Sequence, residues 1–287
     1  MNAASFGNVP AGSAAEFVSF PRRALRPTSA RAWLIGLILG VMHATERPAS
    51  SAELTSDTYQ NSVFRTCRVD LVKDDLRMFW RDGNGAILGT LERLQQQLRS
   101  QGRTVVCATN AGIYQTDLRP LGLYIEQGRV LHRLNTRKGA YGNFYFEPNG
   151  VFVIEDGRAR IVETDRFQSE FEQTAASIRF ATQSGPILLQ DGAINPRFAP
   201  RSVNRLTRNA VCLVSEREVL LAISDTPVSF HEFARFLRDS QHCKDALHLD
   251  SSVSRLIPPE SFSLGPPFGV LIAVTRAGRP EASTLTE

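Results

Sequence analysis

Three phrases hold residue types suited to chemistry: Thr182-Gln183-Ser184-Gly185-Pro186, Arg208-Asn209-Ala210-Val211, and the stretch from Ala246 to Ser254. In the last, an apolar run stops at Asp250, and hydroxyls follow at Ser251, Ser252 and Ser254. Each phrase reads as the end of a buried strand running into polar residues. A strand end that presents a carboxylate beside hydroxyls places polar groups on a rigid frame. A polar turn closing a core strand has the same look. The full set of such residues is Asn110, Asn143, Thr182, Gln183, Ser184, Arg208, Asn209, Asp225, Asp250, Ser252 and Ser254. The mixture suits a sugar joined to an anion: Asn and Gln amides hydrogen-bond hydroxyls, and the arginine fork matches phosphate or carboxylate. Arg208 heads an apolar strand, where a cation is costly to bury without an anionic partner. That partner is either a ligand or a carboxylate of the chain, Asp225 or Asp250.

Several chemistries lack their signatures. There is no Gly-rich phosphate loop ending in Gly-Lys-Ser/Thr, no dinucleotide fingerprint and no Gly-x-Ser-x-Gly elbow. His231-Glu232 opens a helix, but Arg235 stands where a zinc protease needs its second histidine. His242, Cys243, His248 and Asp250 form a thin metal-ligand set; on a strand only His248 and Asp250 share a face. The expectation is therefore no metal and no cofactor.

The elements that must position these residues alternate irregularly. Strands are expected at 63–71, with 76–80 as its partner, and at 104–109. A hairpin is expected from 121–126 and 129–134, followed by strands at 143–146, 151–155 and 160–164. Further strands fall at 180–182, 187–190, 208–214, 219–224, 247–249 and 269–275. Helices are expected over 88–98, where Leu88, Leu91, Leu94 and Leu98 keep helical spacing, over 166–177, and from a Ser229 cap with Glu232 three residues later to Ser240. Residues 193–207 read as an irregular loop. Many strands with few helices, without regular alternation, predict an α+β fold: one mixed domain over 61–276 with its site at strand ends.

At the N-terminus, Arg22, Arg23, Arg26 and Arg31 precede an apolar run from Ala32 to Met42, and small residues follow at Ala44, Ala49 and Ala52. That run suits a signal-peptide core and is short for a membrane span of roughly 20 residues. Residues 1–44 thus read as a signal peptide or an uncleaved N-terminal anchor, 45–60 as a linker and 277–287 as a tail. An exported protein, periplasmic or secreted, is expected, with a membrane contact only through an uncleaved segment. Export permits disulfides, and Cys67, Cys107, Cys212 and Cys243 allow three pairings; buried free thiols at Cys107 and Cys212 are the alternative. The 287 residues, 42% hydrophobic and 22% charged with a net charge of +4, can bury a real core. No basic stripe interleaves with aromatics, so a nucleic-acid partner is not expected.

At these residues the sequence resembles the phosphodiester glycosidase family, in its bacterial exported branch. The resemblance rests on 108–113 (Ala-Thr-Asn-Ala-Gly-Ile), 120–124, 142–146 with 148–152, 181–186, Arg208-Asn209, 222–225 and 246–250 (Ala-Leu-His-Leu-Asp), in the family's order over roughly residues 60 to 275. Asn110 matches the Asn of the family's Asn-Gly-Gly phrase, with Ala111 in place of the middle Gly. Arg208 matches the Arg opening the later strand, and Asp250 the Asp of a Leu-Asp-Gly phrase, with Ser251 in place of its Gly. A Ser there costs about 1 kcal/mol if the position needs a positive φ, and otherwise narrows the pocket.

The resemblance implies an α+β hydrolase that splits the sugar C1–O bond of a sugar 1-phosphodiester, without a cofactor, on a carbohydrate or glycan phosphodiester. The leaving group is a phosphomonoester with a second pKa of about 6, so it needs little proton assistance. One carboxylate and one cation then suffice, where an ordinary glycosidase uses two carboxylates. Asp250, Arg208 and Asn110 are the expected catalytic set: Asp250 as base or nucleophile, Arg208 on the phosphate. Asn143, Thr182, Gln183, Ser184, Asn209, Asp225, Ser252 and Ser254 are the expected substrate-binding set. The same residues would serve a non-catalytic exported glycan- or cell-wall-binding protein, and a metal-dependent phosphodiesterase is the third reading.

Overall fold

In the computed structural model, the described residues are 52–251, 253–257 and 265–277. In chain order they form β1 (Glu53–Tyr59), β2 (Ser62–Asp70), β3 (Asp75–Phe79), α1 (Leu91–Ser100), β4 (Arg103–Asn110), β5 (Tyr124–Glu126) and β6 (Arg129–His132). There follow β7 (Gly150–Ile154), β8 (Ala159–Glu163), α2 (Thr164–Thr174), β9 (Phe180–Ser184), β10 (Ile187–Gln190), β11 (Ala193–Ile194), β12 (Asn209–Ser215) and β13 (Glu218–Ser224). The last elements are α3 (Phe230–Arg235), β14 (Asp245–Asp250), β15 (Leu256–Ile257) and β16 (Leu271–Ala277). The class is mainly β with a few helices, in keeping with the α+β expectation.

Three antiparallel sheets result, ordered β1-β2-β13-β12-β14-β10-β11, β15-β4-β16-β3 and β6-β5-β9-β7-β8. Period-two alternation sends one side of each sheet to a shared core and the other to a helix. From β12, Val211 and Leu213 enter the shared core, while Ala210 and Cys212 face the cluster built on Phe233, Phe236 and Leu237 around α3. From β16, Ile272 and Val274 point to the shared core, and Leu271 and Ala273 to Leu91, Leu94 and Leu98 of α1. From β7, Phe152 and Ile154 point inward, and Val151 and Val153 pack with Phe167 of α2. This is why β7 is buried along its whole length and reads as an unbroken apolar run.

Local signals set the ends of these elements. The Thr90 hydroxyl caps α1 by accepting from the Arg93 N–H, and Gly102, at φ 66°, turns the chain out of it. Ser229 and Glu232 form the expected reciprocal capping box on α3, whose last turn continues as a π-helical turn over Phe236–Ser240.

Three expectations are corrected. The stretch read as a linker carries β1 in its second half, paired with β2 from Glu53↔Arg68 to Tyr59↔Ser62. β3 pairs with β16 and not with β2. Asn143–Tyr145, expected as a strand, is a 3-10 turn. The proposed targeting segment and all of the tail after Ala277 lie outside the described residues.

Of the three possible pairings, the structure has Cys67–Cys107 and Cys212–Cys243. The first ties β2 to β4 across the shared core; the second ties β12 to the segment after α3. They close sequence separations of 40 and 31 residues, for which loop-closure entropy predicts about 3–4 kcal/mol each. Reduction of both, about 6–8 kcal/mol together, is therefore expected to lower the melting temperature by roughly 12–32 °C, at about 2–4 °C per kcal/mol for a domain of this size. Thermal unfolding with and without a phosphine reductant checks it, and unchanged melting would show that the two bridges do not hold the fold.

Candidate active site

The site is built where β4, β9, β12 and β14 end together. Asn209 opposes Asp250 across β12 and β14, and the register then slips so that Ala210 opposes His248. Leu249 is the extra residue of this bulge, a device that re-aims side chains at a strand end. Beyond it Asp250 turns toward Asn110, while His248 turns toward Gly185 and Ser251.

Asn209 stitches the strands. Fully buried, it donates to the Thr109 hydroxyl at 3.0 Å and the Asn110 carbonyl at 2.8 Å, and accepts from the Asp250 N–H at 2.7 Å and the Ser254 hydroxyl at 3.0 Å. Asn110 in turn accepts from the Arg255 N–H at 3.0 Å and points its amide at Asp250 Oδ2, 3.5 Å away. Asp250 Oδ1 accepts from the Ser251 N–H at 2.7 Å. Burial outweighs these two donors and raises the Asp250 carboxyl from 3.8 to about 6. Tyr114 stands nearby, its hydroxyl pushed up to about 12 by burial and, second, by the charge of Asp250.

Arg208 forms the other half. Its side chain is among the largest fully buried ones. Its Nε donates to the Val228 carbonyl at 2.9 Å, and Nη2 donates to the Asn204 carbonyl at 3.1 Å and the Asn204 Oδ1 at 2.9 Å. Nη1 donates to the Ser251 hydroxyl at 3.2 Å. The ring of Phe230, set at the start of α3 by the Ser229 cap, lies 3.7 Å from the guanidinium carbon. None of the ion pairs among the described residues includes Arg208; Asp225 instead pairs with Arg65 at 2.7 Å. Neither carboxylate expected as its partner fills that role. Burial alone lowers the guanidinium to about 10, so it stays charged at neutral pH.

The two halves meet at Ser251. Its hydroxyl is the acceptor for Arg208 Nη1 and, at 3.2 Å, for the Asn143 amide. His248 Nε2 lies 3.1 Å from the same oxygen, and His248 Nδ1 is 2.8 Å from the Gly185 carbonyl. A carbonyl only accepts, so Nδ1 carries the ring proton and Nε2 accepts from the Ser251 hydroxyl. Complete burial holds the imidazole at about 3, hence neutral. Ser251 has no positive φ, so its side chain narrows the site without backbone strain.

The remaining expected residues divide. Ser184 donates to the Leu249 carbonyl at 2.9 Å and accepts from the Ile113 N–H at 3.4 Å, bracing the turn after Asn110. Thr182 lies on the same side of β9 and packs so closely on Gly112 that a Cβ there would sit 2.5 Å from its hydroxyl. Gln183 points the other way and is saturated: Oε1 accepts from the Leu123 and Asn135 N–H groups at 2.9 Å each, and Nε2 donates to the Asn135 carbonyl at 2.8 Å and the Thr164 hydroxyl at 3.1 Å. It does not join the cluster; it braces the wall of a separate cavity of about 290 Å³ lined by Asn135, Lys138, Asn149, Thr164 and Arg197 among others. Asp225 also lies outside the cluster, and Ser252 lies outside the described residues. His248, Asn204, Phe230, Tyr114 and Arg255 belong to the site without having been expected there.

For a metal, the donor set does not converge. Cys243 is in a disulfide and both His248 nitrogens are engaged. Among the described residues no three His, Cys, Asp or Glu side chains stand together. The arrangement holds one carboxylate raised toward neutrality, one fully buried cation without an ion pair among the described residues, and amides between them.

Residues 103–254, which include Asp250, Arg208, Asn110, Asn143, His248 and Ser251, match the model of the phosphodiester glycosidase family. The uncharacterized protein YigE of Escherichia coli K12 is 35% identical over 209 residues, covering 71% of this chain and 78% of that protein. In fold, the chain is similar to the catalytic domain of zebrafish N-acetylglucosamine-1-phosphodiester alpha-N-acetylglucosaminidase, solved auto-inhibited by its pro-peptide. The TM-score is 0.54 at 15% identity, over 78% of this chain and 82% of that one. With the family model spanning the strands that carry the site and a relative matched along most of its length, the chain belongs to the phosphodiester glycosidase family.

Proposed function

We propose that the protein is an exported hydrolase that cleaves the sugar C1–O bond of a sugar 1-phosphodiester. The observation that carries this reading is Arg208: a fully buried cation with no ion-pair partner among the described residues, joined through one residue to the partly buried carboxylate of Asp250. Several kcal/mol oppose burying such a charge alone, and an anionic substrate offsets that cost. Asp250 acts as base or nucleophile toward the anomeric carbon. Arg208 stabilises charge developing on the departing phosphate. Asn110 and Asn143 orient the sugar and the phosphate, while Asn209, Ser254, Thr182 and Ser184 hold the frame. Two disulfides support an oxidising destination, and the basic-then-apolar N-terminal sequence supports export. No helix among the described residues is long and apolar enough to cross a membrane.

The test is hydrolysis of N-acetylglucosamine-1-phosphodiester and related sugar phosphodiesters in water enriched in heavy oxygen. Label in the sugar product supports cleavage at C1. Label in the phosphate moves the chemistry to phosphorus, and binding of glycan without turnover on any substrate favours a binding protein.

A further inference from the structure

Ser251 occupies the point on which the site's polar groups converge. Its oxygen accepts from Arg208 Nη1 at 3.2 Å and from the Asn143 amide at 3.2 Å, and its proton goes to His248 Nε2 at 3.1 Å. Two donors and one acceptor around a single oxygen describe a hydroxyl. A phosphate oxygen without a proton satisfies the donors but sets its lone pairs against those of the neutral imidazole. A P–OH satisfies all three. Arg208 is otherwise nearly saturated: of the five N–H donors of a guanidinium, Nε and both on Nη2 are held by Val228 and Asn204, and one on Nη1 is held by Ser251. Within the described residues, one Nη1 donor remains.

Resting on the reading of Arg208 as the phosphate-facing cation, we propose that the Ser251 hydroxyl stands in for the P–OH of a phosphomonoester. It thereby makes the site selective for phosphodiesters over the monoester that their hydrolysis releases. A diester carries one negative charge and no P–OH, so it uses only the remaining Arg208 and Asn143 donors. The monoester, with a second pKa of about 6, has a P–OH in its monoanion and would fit the three groups that Ser251 fills. Ser251 is thus a specificity-determining residue that weakens product binding and speeds its release.

The experiment is titration calorimetry at pH 6 on the full chain, using methyl phosphate as the monoester probe and dimethyl phosphate as the diester probe. Ser251→Gly is expected to bind methyl phosphate at least about tenfold more tightly than the wild type, the gain of one charge-assisted hydrogen bond. Its affinity for dimethyl phosphate should stay within about threefold, on the same scale. Ser251→Thr, which restores a hydroxyl, should return to wild-type binding, and adding Asn143→Ala to Ser251→Gly should remove most of the gain. Should Ser251→Gly fail to fold, as judged by its thermal melt, Ser251→Ala frees the same groups and should show a smaller gain of the same sign. Equal tightening of both probes, or tightening of neither, would overturn the proposal. Arg208→Lys separates the two ideas. If it leaves dimethyl phosphate binding unchanged, the phosphate reading of the site fails. If it weakens that binding and Ser251→Gly gains nothing, only the role of Ser251 fails.

Discussion

Asp250→Asn is expected to abolish turnover and, at pH 7.5, to make the protein more stable. Burial raises the Asp250 carboxyl from 3.8 to about 6, so the fold favours its protonated form. The sign follows from linkage: stability from this group is present below the unfolded value near 4 and is lost as pH rises through about 6. At pH 7.5 the ionised carboxylate therefore costs on the order of 3 kcal/mol. An asparagine keeps the acceptor for the Ser251 N–H but sets an amide against that of Asn110, which is only weakly engaged at 3.5 Å. The net gain should be about 1–2 kcal/mol, or roughly 3–6 °C in melting temperature at pH 7.5, and it should vanish at pH 4, where the wild-type carboxyl is already protonated. Turnover should fall on the order of 10³-fold or more, as for loss of a general base or nucleophile. In the wild type, kcat/KM should decline about tenfold per pH unit below pH 6, because the reacting form is ionised. Melting curves at the two pH values and a pH–rate profile check all three. A rate that rises below pH 6 would make Asp250 an acid instead.

Much of this site was legible in the sequence because it sits at strand ends, where an apolar alternation stops at a polar residue. Asn110, Arg208, Asn209 and Asp250 all announce themselves this way. What escaped has physical reasons. β1 is an edge strand of polar sequence, Glu-Leu-Thr-Ser-Asp-Thr-Tyr; backbone pairing to β2 forms it, and no hydrophobic pattern marks such a strand. Gln183 and Thr182 are adjacent and equally polar, yet β-alternation sends them to opposite sides of β9, and only the packed sheets show which side holds the site. Asn204 serves Arg208 through its backbone carbonyl, a group every residue has, as well as through its side-chain oxygen, and it lies in an irregular loop with no pattern to mark it. His248 resembles a thin metal ligand in sequence, while its role follows from the Gly185 carbonyl that fixes its tautomer. Gly185 approaches the 143–149 turn so closely that a Cβ would lie 2.7 Å from that of Asn149. The disulfide pairing required the three-dimensional neighbourhood of β2 and β4.

Arg208→Lys is expected to cost at least 10²-fold in kcat/KM, although the charge is kept. The guanidinium reaches four places at once: the Val228 carbonyl, both oxygens of Asn204, the Ser251 hydroxyl and the face of Phe230. An ammonium is a single point with three donors and cannot span them. If it stays near Phe230, the Ser251 hydroxyl and the substrate phosphate lose their donor; losing one such donor typically costs on the order of 10²-fold. If it moves toward the substrate, it gives up the charged hydrogen bonds to Asn204 and to the Val228 carbonyl, which keeps the Leu206 N–H at 3.1 Å, at about 1.5–3 kcal/mol in all. Either way the variant should also melt earlier, by roughly 4–10 °C at the scaling for a domain of this size. The two effects separate in the kinetics. A loss concentrated in kcat, with KM for a sugar phosphodiester changed little, places the guanidinium on charge that develops as the phosphate departs. A loss concentrated in KM places it on the charge already present in the bound diester. Wild-type kcat/KM in a folded Arg208→Lys protein would reduce Arg208 to a packing residue and remove the central support for a phosphate-facing site.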